Sequence, residues 1–180
     1  MRCVAFLRAI NVGTHVVTMD RLRSLFVDMG YADAQTFLAS GNVIFTARAP
    51  READIEQKVS AALEAALGYG VPTFMRTREA LAAVCAATPF PAQDMRDAVA
   101  LNVGFLAATL GKDAIARMKS YDTDLDRFAT IGREFYWMSR TRMSESPFFK
   151  VKFEKAFGVN VTFRTMSMLQ RLAAKYPSRD

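Results

Sequence analysis

The chain has 180 residues, of which 51% are apolar and 23% charged, with 24 basic and 18 acidic side chains and a net charge of +6. That length and balance suit one large or two small globular domains, and no apolar run approaches the roughly 20 residues of a membrane span. One histidine and two distant cysteines argue against a zinc site and a disulfide framework.

In chain order, Cys3 to Ile10 is a nearly continuous apolar run that reads as a central buried strand. Arg8 interrupts it and no small-residue cleavage site follows, so no secretory signal is expected. Thr18 is a good N-cap for a helix carrying Leu22, Leu25, Phe26 and Met29 on one face and stopping at Gly30. Thr36 to Ala39 and Val43 to Thr46 read as strands joined by a turn at Ser40-Gly41-Asn42. A second helix from near Pro50 presents Ile55, Val59, Leu63 and Leu67 and ends at Gly68. Val71 to Arg76 is a fourth strand. The order β-α-β-β-α-β is the split βαβ pattern of ferredoxin-like domains. Arg78 to Ala87 adds a helix, and Thr88 to Ala92 reads as a linker.

The second half follows the same order more faintly. Val99 to Phe105 reads as a strand, Lys112 to Ser120 as a helix, and Arg127 to Ile131 with Glu134 to Met138 as a hairpin around Gly132. Ser146-Pro147 opens a helix in which Phe149, Phe153, Ala156 and Phe157 share an inward face, ending at Gly158. Val159 to Phe163 is a short strand and Met166 to Tyr176 a closing helix. The fold class expected is α+β: two tandem ferredoxin-like α/β plaits, residues 1–90 and 93–180, with antiparallel sheets and helices packed on one face. No residue-level repeat between the halves is visible. Cys3 and Cys85 read as reduced core thiols of a cytoplasmic protein.

In a split βαβ sheet the spatial order is 4-1-3-2, which places the turn between strands two and three beside the end of strand one. Arg8, Asn11 and Gly13 thereby meet Ser40, Gly41 and Asn42, with His15 in the same loop. A fixed cation, two amides, a hydroxyl and glycine N–H groups suit recognition of a phosphate or carboxylate more than bond-making. The same residues also serve turns through positive φ and Asx hydrogen bonds.

Leu7-Arg-Ala-Ile-Asn-Val-Gly13, Ser40-Gly-Asn-Val43 and Ala156-Phe-Gly-Val-Asn-Val-Thr-Phe-Arg164 resemble the bacterial domain-of-unknown-function family DUF1697 over essentially the whole chain. The resemblance implies two tandem α/β plaits and supplies no activity. The family usually has glycine where Ala9 stands. Its Arg-Asn-Trp-Asn-Thr stretch appears here as Arg164-Thr-Met-Ser-Met168, with Arg164 retained as a further candidate ligand residue.

Other chemistries fit poorly. A Ser-His-Asp triad would have to run through His15. Asp122-Thr-Asp-Leu-Asp126 fails as a calcium loop, with Arg127 at the sixth position and Arg133 at the twelfth. Gly68-Tyr-Gly70 lacks the third glycine of a dinucleotide fingerprint, and no Walker-type motif occurs. No metal or cofactor is expected. Residues 133–179 hold 10 basic against 3 acidic side chains, a charge pattern that suits an anionic partner, nucleic acid included. The leading expectation is a non-catalytic protein binding a small anion at the corner of Arg8, Asn11, Gly13, Ser40 and Asn42. Three alternatives stand beside it: nucleic-acid binding through the basic half, an enzyme using His15 on a small anionic substrate, and an interaction module with an exposed sheet edge.

Overall fold

The computed structural model describes residues 1–48 and 51–176, which form two compact units: residues 1–82 with Lys175 and Tyr176, and residues 83–174. In the first unit, β1 (Arg2–Leu7) is buried from Cys3 onward. Thr18 caps α1 (Met19–Asp28) by accepting the Arg21 N–H, and Leu22, Leu25 and Phe26 face inward. β2 is only Gln35–Thr36, followed by β3 (Asn42–Thr46). α2 (Glu52–Leu67) ends on left-handed Gly68 and buries Ile55, Val59 and Leu63. The helix start expected near Pro50 lies outside the described residues. β4 (Thr73–Thr77) runs directly into α3 (Arg78–Ala86). The strand order β2-β3-β1-β4 is the expected 4-1-3-2, and every pairing is antiparallel. The helices cover one face, where Leu7, Phe26, Phe45, Val59, Leu63 and Met75 share a core.

The expected strand over 36–39 is shorter because Leu38 takes a left-handed φ of 59°, which turns the chain out of the sheet.

Beyond α3, a short α4 (Ala92–Arg96) starts at the last residue of the expected linker. β5 (Ala100–Phe105), α5 (Lys112–Lys119), β6 (Asp126–Ile131) and β7 (Glu134–Ser139) follow. The helix expected from Ser146 is instead two 3-10 turns, Met143–Glu145 and Pro147–Lys150, and a short α6 (Phe153–Phe157). Val151 breaks it with extended backbone. Phe148 therefore enters the core and Phe149, expected inside, is 57% exposed. β8 is Thr162–Thr165 and α7 Met166–Lys175. The sheet order β6-β7-β5-β8 repeats that of the first unit.

The registers reveal a residue-level correspondence that the sequence conceals. Arg76 on β4 pairs with Val4 on β1, and Arg164 on β8 pairs with Val103 on β5. Both arginines are buried, and each donates from Nη1 to the carbonyl of its preceding residue, Met75 at 2.6 Å and Phe163 at 2.8 Å.

Side chains take the place of neighbours along the outer strands. On β4, Glu56 accepts the Met75 N–H at 2.7 Å and Glu52 the Thr77 N–H at 3.1 Å. On β6, Asp122 accepts the Phe128 N–H at 2.9 Å, Lys119 donates to the Phe128 carbonyl, and Thr123 N–H reaches the Asp126 carbonyl at 2.9 Å.

Asp33 ties the loop after α1 to the sheet. Its carboxylate accepts from Thr46 N at 2.9 Å, Thr46 Oγ1 at 2.7 Å and Arg2. Burial works to raise its pKa, but the Thr46 hydrogen bonds and the Arg2 charge outweigh it and hold the carboxyl below its usual value. A depressed folded-state pKa adds stability above the unfolded value of about 3.9, lost as pH falls through the folded pKa. Asp33→Asn should therefore weaken the protein at neutral pH and converge on the wild type in acid. Urea midpoints measured at both ends of the range check this; a constant gap would assign the effect to packing.

Candidate functional site

At the exit of β1 the chain passes through alternating backbone handedness. φ is +62° at Ala9, +55° at Asn11 and +60° at Gly13, while Ile10 and Val12 between them are not in that region. The β2–β3 connection adds Leu38 at +59° and Gly41 at +74°. Non-glycine residues enter the left-handed region at a cost of roughly 1–3 kcal/mol each. Three of them, Ala9, Asn11 and Leu38, lie in these two loops. At Ala9 a glycine would adopt this conformation without that cost.

The two loops are stitched together. Leu7 N–H donates to Gly41 O at 2.8 Å, and Arg8 N–H to Pro72 O at 2.9 Å. Gly41 is required twice over: by its φ, and because an added Cβ would lie 3.1 Å from Ile10 Cβ and 3.2 Å from Leu7 Cβ. Gly13 has open space around it, so its backbone angle alone selects glycine.

The amides have different work from that expected of ligand-orienting groups. Asn11 donates from Nδ2 to Ala39 O and accepts the Val17 N–H on Oδ1, both at 2.8 Å. Asn42 is fully buried and donates to Phe37 O at 2.8 Å and Ser40 Oγ at 2.9 Å. Both hold the loops in shape. Half-buried Arg8, exposed Ser40 and the exposed 11–14 turn form the surface offered to solvent.

His15 N–H closes the turn on Val12 O at 3.1 Å, and its ring stacks on Tyr69 with centroids 3.7 Å apart and planes 6° from parallel. The Tyr69 hydroxyl is buried without a hydrogen-bond partner. Sequence reading missed Tyr69 as a member of the corner. Its signal was the Gly68-Tyr-Gly70 stretch that stops α2 and returns the chain to β4.

Arg164 belongs to the second unit. It donates to Thr162 Oγ1 and Phe163 O, both at 2.8 Å, and burial lowers its pKa to about 10. The altered stretch after it serves as a helix start, where Thr165 Oγ1 accepts the Met168 N–H at 3.3 Å.

Burial raises the Cys3 thiol to about 11 and also raises Cys85, so neither is a ready thiolate nucleophile. Among the described residues no three His, Cys, Asp or Glu side chains are grouped to hold a metal, and no helix is long and apolar enough to cross a membrane.

The family model for "Protein of unknown function (DUF1697)" matches residues 1–136, which includes the whole corner and leaves Arg164 outside. Among solved structures the chain is similar to the conserved bacterial protein SP0830 from Streptococcus pneumoniae, at 21% identity over 96% of this chain and 97% of that one, with a TM-score of 0.75. At that identity the likeness speaks for the fold. No curated protein matches the chain.

Proposed function

We propose, from the premise that the chain belongs to the DUF1697 family of proteins of unknown function, that it is a non-catalytic binding protein which holds a small phosphate- or carboxylate-bearing ligand at the exit of β1. The two units are read as tandem ferredoxin-like plaits, a reading supported by the matching strand orders β2-β3-β1-β4 and β6-β7-β5-β8. The compartment is read as the cytoplasm, which suits two free cysteines.

One observation carries the ligand class: left-handed φ at residues 9, 11 and 13 in alternation with their neighbours. Alternating handedness turns successive backbone N–H groups toward one side, making a concavity for an anion. Retaining non-glycine residues in that conformation, at a cost to folding, is a mark of ligand clamps. Arg8, at the head of the segment, supplies the full positive charge, and a guanidinium makes charge-assisted hydrogen bonds to phosphate and carboxylate alike. Ser40 supplies a hydroxyl, and Asn11 and Asn42 keep the loops in register from behind.

Calorimetric titration with phosphate, pyrophosphate, acetate and citrate tests this. A charge-assisted hydrogen bond contributes about 1.5–3 kcal/mol, so Arg8→Ala should weaken the best of these anions about tenfold or more. Equal affinity in wild type and Arg8→Ala, or no saturable binding of any of the four, would remove the corner as an anion site.

A further inference from the structure

The exposed ring of Phe149 is the feature of the second unit that folding does not explain. It is 57% exposed, and it is the one aromatic among the large exposed apolar side chains of the described residues. Its neighbour Phe148 fills the core, 4.3 Å from Phe128 and 5.0 Å from Trp137 between ring centroids. Phe149 points the other way.

The turn that presents it is held from within. Ser146 Oγ accepts the Phe148 N–H at 3.0 Å and donates to buried Asp126 at 2.8 Å. Phe149 N–H donates to Ser146 O at 3.1 Å and Val151 N–H to Phe148 O at 2.9 Å. An aromatic ring on an anchored turn is a preorganised contact, which loses little freedom when a partner covers it.

The segment that carries it is cationic. Lys150, Lys152 and Lys155 are all exposed, and between residues 146 and 158 the single acid is Glu154. Lys155 also lines a cleft of about 640 Å³ between α5 and α6, where Lys112 and Arg117 join it and Asp113 is the one acid. Arg117 is anchored there by its bond to Ala156 O at 2.8 Å.

We propose that this helical face of the second unit binds single-stranded nucleic acid, with Phe149 stacking on a base and the lysines of the 150–155 segment meeting phosphates. Every base has a π-face, so an exposed ring among cations recognises a strand without reading its sequence. The usual route for such folds, aromatics on the open face of the central strands, is closed here: Phe135, Tyr136 and Trp137 of β7 and Val103 and Phe105 of β5 are buried. A duplex keeps its bases stacked and offers no face to Phe149. This proposal is independent of the anion site on the first unit.

The test is fluorescence anisotropy of a labelled oligothymidine of about 12 nucleotides with the full chain, at about 50 and about 200 mM salt. Binding should be saturable at the lower salt and weaken at the higher. Phe149→Ala, a surface change that leaves the melting temperature in place, should weaken binding about 5- to 150-fold with the salt slope unchanged. Lys150→Glu with Lys152→Glu should weaken binding and flatten that slope by about 1.4, two phosphates at about 0.7 each. The proposal fails if no saturable binding occurs at the lower salt, if Phe149→Ala binds like wild type, or if a duplex of the same length binds as tightly as the strand.

Discussion

Replacing Asp126 with alanine should lower the stability of the protein by about 2–6 kcal/mol, because two buried donors lose their acceptor at about 1–3 kcal/mol each. Asp126 is 1% exposed. Its carboxylate accepts the Trp137 indole N–H at 2.7 Å and the Ser146 hydroxyl at 2.8 Å. Through Ser146 it also fixes the turn on which Phe148 packs into the core and Phe149 stands outside. Trp137 is the single tryptophan of the chain, so its emission reports on the site in the folded protein as well as on unfolding. Urea titration of Asp126→Ala, Trp137→Phe and the double variant, followed by far-UV circular dichroism so that the variants without tryptophan are read alike, separates the bond from the packing. A coupling of about 0.5–3 kcal/mol is expected between residues sharing such a network. Strict additivity would mean that the indole N–H contributes nothing through the carboxylate.

Gly41→Ala should cost about 2–5 kcal/mol, the sum of a left-handed alanine and a Cβ forced against two core side chains. Leu7 and Ile10 are both buried, and the contacts at 3.1 and 3.2 Å are to their Cβ atoms, which sit next to the backbone and cannot rotate away. Gly13→Ala is the control. It has nearly the same φ, +60° against +74°, but nothing within 4 Å of the new Cβ, so it should lose only the backbone share, about 1–2 kcal/mol. Thermal melts of the two variants measure the difference. Equal losses would show that the close approach of the β2–β3 turn to β1 is soft. The faster amide exchange expected at Leu7 in Gly41→Ala, whose N–H bonds the Gly41 carbonyl, gives a local reading of the same displacement.

The strand order and the meeting of the two loops were legible because they follow from apolar runs, caps and turn residues within a few positions of one another. What depends on a partner far along the chain was not. The amides of Asn11 and Asn42 announce polar work, but sequence does not show that Ala39 O and Phe37 O will absorb them. Leu38 has a side chain that suits a strand and a backbone that leaves it. Phe149 stands four residues before Phe153 and eight before Phe157, the helical period, whereas its neighbour Phe148 falls out of that period. The extended backbone at Val151 decides for Phe148. Arg76 and Arg164 sit at matching places in the two sheets, a match carried by register rather than by surrounding residues.

The carboxylates and ammonium that occupy the outer strands also govern what those strands can recruit. A strand with open N–H and C=O groups templates the pairing of any extended segment, and runs such as Phe128-Ala-Thr-Ile131 would otherwise invite it. With Phe128 bonded on both its N–H and its carbonyl by Asp122 and Lys119, and Met75 and Thr77 bonded by Glu56 and Glu52, an incoming peptide must first displace ionised groups from their bonds. Fibril growth and swapping of strands between chains are therefore opposed at β4 and β6.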